Sequence, residues 1–141
     1  MLLLTLLGVR IVTQTRSVLV GERDYARLLN LVNKSDHKAV ALLYDELDAA
    51  TVIPDAELPA DVVTMGSIVT FRDTDTGEES TVELVYPVHA DASRRRISIL
   101  APVGAALIGL RVGEHIAWPV PNGRDRHLEV KDVRACAWSE P

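Results

Sequence analysis

One stretch of this chain gives the strongest indication of its fold: Ile97-Ser-Ile-Leu-Ala-Pro-Val-Gly-Ala-Ala-Leu-Ile-Gly-Leu-Arg-Val-Gly113. Its β-branched start, Ile97 to Ile99, predicts a strand, and the turn that follows leads into a short apolar helix from Pro102 to Ile108. A helix this apolar has no face for water, so we expect it to lie buried against a sheet. Gly104 and its small neighbours would let the two backbones approach closely. The segment is therefore scaffold and carries no reactive group.

Two amphipathic helices are predicted upstream of this stretch, from Gly21 to about Val32 and from about His37 to Ala50. Their apolar stripes comprise Tyr25, Leu28, Leu29 and Val32 in the first helix, and Val40, Leu43, Leu47 and Ala50 in the second. A short polar link predicts an antiparallel helical hairpin, a short coiled coil, with Ser35 and Asp36 at its tip. Each helix would be about 20 Å long at 1.5 Å per residue.

A short strand is expected before the two helices, at Ser17 to Val20, and the chain that follows the helices is β-rich. Strands are expected at Ser67 to Arg72, Thr81 to Val88, Ile97 to Ile99, His115 to Val120 and His127 to Val133, with turns at Asp73 to Gly77 and Pro121 to Gly123. Four or five antiparallel strands with one short helix across a face define an α+β fold. The predicted organisation is an N-terminal extension (1–16), a helical hairpin (17–53), a proline-containing linker (54–61) and the sheet domain (62–138).

Composition limits the classes of function. The chain has 141 residues, a net charge of −5 and a pI of about 5.3, which does not favour wrapping nucleic acid. A single cysteine, Cys136, cannot form an intrachain disulfide, so a reducing cytoplasm is expected. The apolar run from Met1 to Val12 is interrupted by Arg10 and is too short to span a bilayer. It also lacks the features of a signal peptide.

Catalytic and metal sites find little support in the motifs. Asp73-x-Asp75-x-Gly77 hints at a calcium loop, but Glu78 and Leu84 occupy its glycine and acid positions, so we interpret it as a turn. The potential zinc ligands are scattered: His37, His89, His115, His127 and Cys136. Neither a nucleophile elbow nor a phosphate loop occurs. The carboxylates Asp45, Glu46 and Asp48 are interpreted as a solvated helix face. We therefore predict no metal, no cofactor and no catalytic residue.

Two features leave alternatives open. The basic run Arg94, Arg95 and Arg96 either keeps a strand edge soluble or belongs to an interaction surface for an acidic partner. Trp118 and Trp138 either pack in the core or anchor an interface. The residues alone thus indicate a two-part module that binds a partner.

Several motifs occur in register with a known family. They are Val62-Val-Thr-Met-x-Ser67, Thr76-Gly77-Glu78, Leu84-Val-Tyr-Pro87, the Ile97 stretch extended to Glu114, Trp118, Pro121-x-Gly123 and His127-Leu-Glu-Val130. Over residues 17 to 134 the chain resembles the regulator of nucleoside diphosphate kinase (Rnk) family. That family is related to the GreA and GreB transcript-cleavage factors through a C-terminal FKBP-like domain.

The resemblance implies a bacterial, cytoplasmic, monomeric protein that binds RNA polymerase at the rim of the secondary channel. It would compete there with Gre-type factors and affect nucleoside diphosphate kinase levels indirectly. The implied contact residues are Ser98, Ile99, Leu100, Ala101 and Pro102, with Arg94, Arg95 and Arg96 beside them. Neither a membrane nor a specific nucleic-acid sequence is an expected partner.

Departures from the Gre pattern predict binding without transcript cleavage. Gre factors carry two acids at the tip of a long arm, where they hold a magnesium ion. This arm is short, and its tip offers Asp36 with Ala39 where a second acid would be wanted. The alternative is a cleavage-stimulating factor that acts through Asp36. A second alternative, prolyl isomerase activity, needs an aromatic-lined pocket, for which this chain has few aromatic residues.

Overall fold

The computed structural model describes residues 18–34, 40–119 and 125–135. These residues form three α-helices and seven strands: β1 (Leu19–Gly21), α1 (Glu22–Lys34), α2 (Val40–Asp48), β2 (Thr51–Ile53), β3 (Ile68–Asp73), β4 (Glu79–Val85), β5 (Arg96–Ser98), α3 (Pro102–Leu107), β6 (His115–Pro119) and β7 (Asp125–Arg134). Five strands form one sheet in the order β5-β4-β3-β7-β6, and β1 pairs with β2 in a second sheet. The predicted α+β class is confirmed.

The central strand β3 shows why the sheet has one buried face. Its residues alternate between buried and half-buried, with Val69 and Phe71 facing the core. On the opposite face, the hydroxyls of Thr70 and Thr81 lie 2.9 Å apart across the antiparallel β3–β4 pair. β7 flanks β3 on its other side and pairs in turn with β6, both antiparallel.

The edge strand β5 departs from the all-antiparallel prediction because it runs parallel to β4, with Leu84 opposite Ile97. The chain does not reverse through a tight hairpin after β4. It passes instead through two 3-10 turns, Pro87–His89 and Ala92–Arg94, before β5 begins with Arg96 opposite Glu83. Such a longer connection returns the chain in the same direction, as parallel pairing requires.

α3 confirms the prediction of a short buried helix. Pro102 occupies its first turn, and the residues from Gly104 to Leu107 are all buried. A Cβ atom at Gly104 would overlap the carbonyl oxygen of Ser98 and crowd Ile99, so only glycine permits this approach between helix and strand.

α1 and α2 share one hydrophobic core with the sheet. Leu28, Leu43 and Leu47 are buried as the stripes predict, and they belong to the same cluster as Leu107 and Ile108. α2 packs against α3 as well as against α1. The residues expected at the hairpin tip, Ser35 and Asp36, lie outside the described residues, so the hairpin connection and the proposed domain boundaries stay predictions.

The strand pair β1–β2 was only half predicted. β1 matches the expected strand at Ser17 to Val20 with a small shift, but no sequence pattern indicates that Thr51–Ile53 pairs with it in parallel. The N–H of Leu19 also donates to the carbonyl of Gly109 at 3.1 Å, just beyond α3. Gly109 has φ of 81°, and a Cβ there would collide with Val18.

No helix in the described part of the chain is long and apolar enough to cross a membrane. The predicted N-terminal extension, the turn at 121–123, Cys136 and Trp138 lie outside the described residues, and so does the side chain of Trp118.

Truncation of Leu43 tests the helix-to-sheet core. Leu43 is fully buried whereas its neighbour Tyr44 is 50% exposed. Leu43→Ala should lower the free energy of unfolding by about 3 kcal/mol, because it removes buried apolar surface and leaves a cavity. Tyr44→Ala is the matched control and should cost well under about 1 kcal/mol. Chemical denaturation followed by circular dichroism measures both, and equal losses would contradict the packing described for α2.

Candidate functional site

The strand–turn–helix segment from β5 to α3 lies at one edge of the main sheet. β5 is the terminal strand and contacts β4 on one side, through Leu84 opposite Ile97 and Val85 opposite Ser98. Its other side therefore lacks a neighbouring strand within this sheet. On that side Arg96 forms an isolated antiparallel bridge with Asp91, through backbone hydrogen bonds of 2.9 and 3.0 Å. Because these backbone groups are already paired, this edge offers a partner mainly the side chains of the turn and the loop beside it.

Ser98 fixes the turn that follows β5. Its hydroxyl accepts a hydrogen bond from the N–H of Leu100 at 2.9 Å, and its carbonyl accepts one from the N–H of Ala101 at 2.9 Å. The turn is thus closed by both the side chain and the backbone of one residue. The half-buried Ala101 and the exposed Pro102 follow directly and begin α3.

The predicted contact residues divide by exposure. Ile99 and Leu100 are 0% and 6% exposed, so their side chains belong to the core and support the turn from beneath. The side chains of Ser98 and Ala101 are half-buried, and that of Pro102 is exposed. A partner could therefore reach the turn through these three residues and the neighbouring arginines.

The three arginines of the basic run differ in their acidic partners. Arg96 lies 3.3 Å from Glu83 through its Nε, and Arg94 lies 3.8 Å from Asp91 on the surface. Arg95 adopts a left-handed backbone conformation with φ of 57° and is exposed. It has no acidic partner within residues 18–34, 40–119 and 125–135. Arg95 thus presents an unbalanced positive charge next to the Ser98 turn.

Asp91 organises the loop that carries these arginines. The hydroxyl and the backbone N–H of Ser93 both donate to Oδ1 of Asp91, at 2.7 and 3.1 Å. The bond from the Ser93 hydroxyl lowers the pKa of Asp91, assisted by backbone N–H groups and Arg94 and opposed by desolvation. None of the sequence motifs described above includes Asp91. The Asp-x-Ser spacing, typical of an Asx turn, is the signal that could have found it.

The Asp73–Gly77 turn has the predicted structural role. Oδ1 of Asp73 accepts hydrogen bonds from the N–H groups of Asp75 and Thr76 at 2.9 and 3.2 Å, and Oδ2 lies 3.0 Å from Arg126. Desolvation raises the pKa of Asp73, but these backbone donors and Arg126 outweigh it and lower that pKa. Within the described residues, His, Cys, Asp and Glu side chains form no group of three or more that could hold a metal ion.

Comparisons with known proteins identify the family of this chain. The family model "Transcription elongation factor, GreA/GreB, C-term" matches residues 58–135. The "Regulator of nucleoside diphosphate kinase" of Escherichia coli (strain K12) is 39% identical over 120 residues, which cover 83% of this chain and 88% of that protein. The "Transcription elongation factor GreA" of Azorhizobium caulinodans is 40% identical over 95 residues, covering 67% of this chain and 60% of that protein.

A solved structure, "Prokaryotic transcription elongation factor GreA/GreB from Nitrosomonas europaea", superposes with a TM-score of 0.69 at 38% identity, over 85% of this chain and 99% of that one. Its fold and the matched region together place the chain in the class of proteins that carry a GreA/GreB C-terminal domain. Within that class, the chain belongs to the regulator of nucleoside diphosphate kinase family. It is a regulator related to the Gre transcription factors.

The contact between His127 and Asp75 predicts a pH-dependent interaction. Nδ1 of His127 lies 3.0 Å from Oδ2 of Asp75, and this hydrogen bond raises the pKa of His127 above its ordinary value of 6.5. A raised folded-state pKa stabilises the fold fully below the unfolded-state pKa, and the contribution disappears as pH rises through the folded-state pKa. Asp75→Ala should return the His127 pKa towards 6.5.

An NMR titration of the His127 ring measures this shift directly. Asp132→Ala is the matched control, because it removes an exposed carboxylate that pairs with Arg134 rather than with His127. The stability difference between wild type and Asp75→Ala should be largest below pH 6.5 and vanish above the raised pKa. A His127 pKa unchanged by Asp75→Ala contradicts the assignment.

Proposed function

We propose that the protein binds RNA polymerase at the rim of the secondary channel and competes there with Gre-type factors without stimulating transcript cleavage. The observation that carries the proposal is the Ser98 turn, held at the end of the edge strand β5 beside the exposed Arg94 and Arg95. Membership of a Gre-related family supports polymerase as the partner.

The charge of this surface favours an acidic contact on the partner. Arg95 has no acidic neighbour in the described part of the chain, and Arg94 is paired only weakly at 3.8 Å. Charges at the rim of an interface act mainly on the association rate and on orientation. The contact surface is therefore Ser98, Ala101 and Pro102 with Arg94, Arg95 and Arg96, over the buried support of Ile99 and Leu100.

The helices favour binding without catalysis. The described parts of α1 and α2 have 13 and 9 residues, or about 20 and 14 Å, and only five residues of sequence separate them. The sequence between them offers one acid, Asp36, with Ala39 where a second would be needed to hold a magnesium ion. Occupation of the channel by such an arm would exclude Gre factors, and effects on nucleoside diphosphate kinase would follow indirectly through transcription.

A binding experiment with arginine variants tests the surface. The double variant Arg94→Ala, Arg95→Ala should weaken binding to purified polymerase about tenfold or more, mainly through slower association, and should reduce its salt dependence. Arg134→Ala is the matched control, because Arg134 is exposed and pairs with Asp132 on β7. Binding is measured with polymerase immobilised on a surface and by competition with GreA. If the double variant binds with the affinity of the wild type, this surface is excluded.

A transcript-cleavage assay tests the non-catalytic part separately. Added to stalled elongation complexes, the protein should leave the transcripts at full length and should suppress the shortening that GreA produces. Shortening by this protein that disappears with Asp36→Ala would instead establish the cleavage-stimulating alternative. An isomerisation assay on a proline peptide should show no catalysis.

A further inference from the structure

A cavity of about 270 Å³ lies where α1 meets the sheet. Arg23 and Arg27 line it from α1, Gly66 and Ser67 from the turn before β3, and Tyr86 and His89 from the segment after β4. None of the residues from Arg94 to Pro102 lines it, so it is separate from the proposed polymerase surface.

One wall of the cavity is cationic. Arg23 and Arg27 stand at i and i+4 of α1, which places them on the same face of the helix. The backbone N–H of Arg23 donates to Oδ1 of Asp55 at 3.4 Å, whereas its side chain has no acidic partner within residues 18–34, 40–119 and 125–135. The acid of this wall, Asp24, accepts a hydrogen bond from the N–H of Met65 at 3.1 Å. Two arginines and one aspartate thus line a single concave site in a protein whose net charge is −5.

Hydrogen bonds within the chain fix the turn from Thr64 to Ser67. The hydroxyl of Ser67, a residue only 2% exposed, accepts a hydrogen bond from the N–H of Thr64 at 2.9 Å. The N–H of Gly66 donates to the carbonyl of Leu84 at 2.7 Å. Gly66 has φ of 86°, and no atom lies within 4 Å of the place where a Cβ would stand. The turn therefore offers a rigid backbone surface with open space above it.

The remaining wall is apolar. It is lined by Leu84 and Val85 at the end of β4, by Tyr86 directly after that strand, and by Met65 from the turn. A pocket with an apolar wall and a few convergent polar groups is typical of a small-molecule site. Its volume lies just below the range of about 300–1,000 Å³ usual for drug-sized ligands, which favours a small occupant.

We propose that this cavity binds a small aromatic oxyanion, a phosphate monoester or a carboxylate. Arg23 and Arg27 hold the anionic group, because guanidinium matches the geometry of both oxyanions and binds them through paired hydrogen bonds. The aromatic body packs against Met65 and Tyr86. Such a ligand contacts α1 and the sheet at once, so its binding stabilises the association of the two.

Phenyl phosphate and benzoate are the probes, titrated calorimetrically into the full chain. Inorganic phosphate, which represents an anionic head group alone, and phenol, which represents the aromatic ring alone, are titrated for comparison. At least one probe should bind saturably and about tenfold more tightly than either of these two compounds. Backbone amide NMR signals of Met65 and Gly66 should shift during the titration. Binding of phenyl phosphate alone identifies a phosphate head group, and binding of benzoate alone identifies a carboxylate.

Arginine variants provide the decisive comparison. Arg23→Ala and Arg27→Ala should each weaken binding about tenfold, whereas Arg95→Ala, an exposed arginine outside the cavity, should leave it unchanged. The proposal is overturned if neither probe saturates at millimolar concentration. It is also overturned if both cavity variants bind like the wild type, or if the amide shifts centre on residues 94–96. Because Arg23 is exposed, its replacement should not impair folding.

Discussion

The close approach of α3 to the strand in front of it controls how the elements around this helix are arranged. The missing side chain of Gly104 lets the helix backbone lie directly over the carbonyl of Ser98 and the Cα of Ile99. At that distance the turn between strand and helix has little freedom. α3 then offers its far side to α2, so the same helix that supports the sheet edge also receives the N-terminal helices.

Rigidity and exposure are consequently combined in one short segment. The backbone of the Ser98 turn is held from below by buried side chains, and the strand before it pairs with β4 on one side and, at Arg96, with Asp91 on the other. Ala101 and Pro102 stay accessible beside it. The neighbouring loop receives its shape from Asp91 rather than from packing. A surface of this kind needs little ordering when it meets a partner, which lowers the entropic cost of association.

Local chemistry made part of this fold predictable. The proline start of α3, the helical stripes around Leu28 and Leu43 and the Asp73 turn all follow from side chains within a few residues of each other. The parallel pairing of β5 and the β1–β2 pair depend instead on contacts between distant segments, which periodicity does not encode. The arginine run shows the same division for the site: its existence is plain in the sequence, but which arginine lacks an acidic neighbour depends on Glu83 and Asp91.

Because of the β1–β2 pair, the length of the helices can vary without changing where they are joined to the rest of the chain. The two strands flank α1 and α2 in sequence and pair in parallel, with Leu19 opposite Thr51. The chain thus enters and leaves its helical part at one anchored base. Adding a whole turn to each helix would extend the helical part by about 5.4 Å and leave that base unchanged. Divergence within such a family can therefore proceed by lengthening or shortening the helices while the sheet keeps its surface.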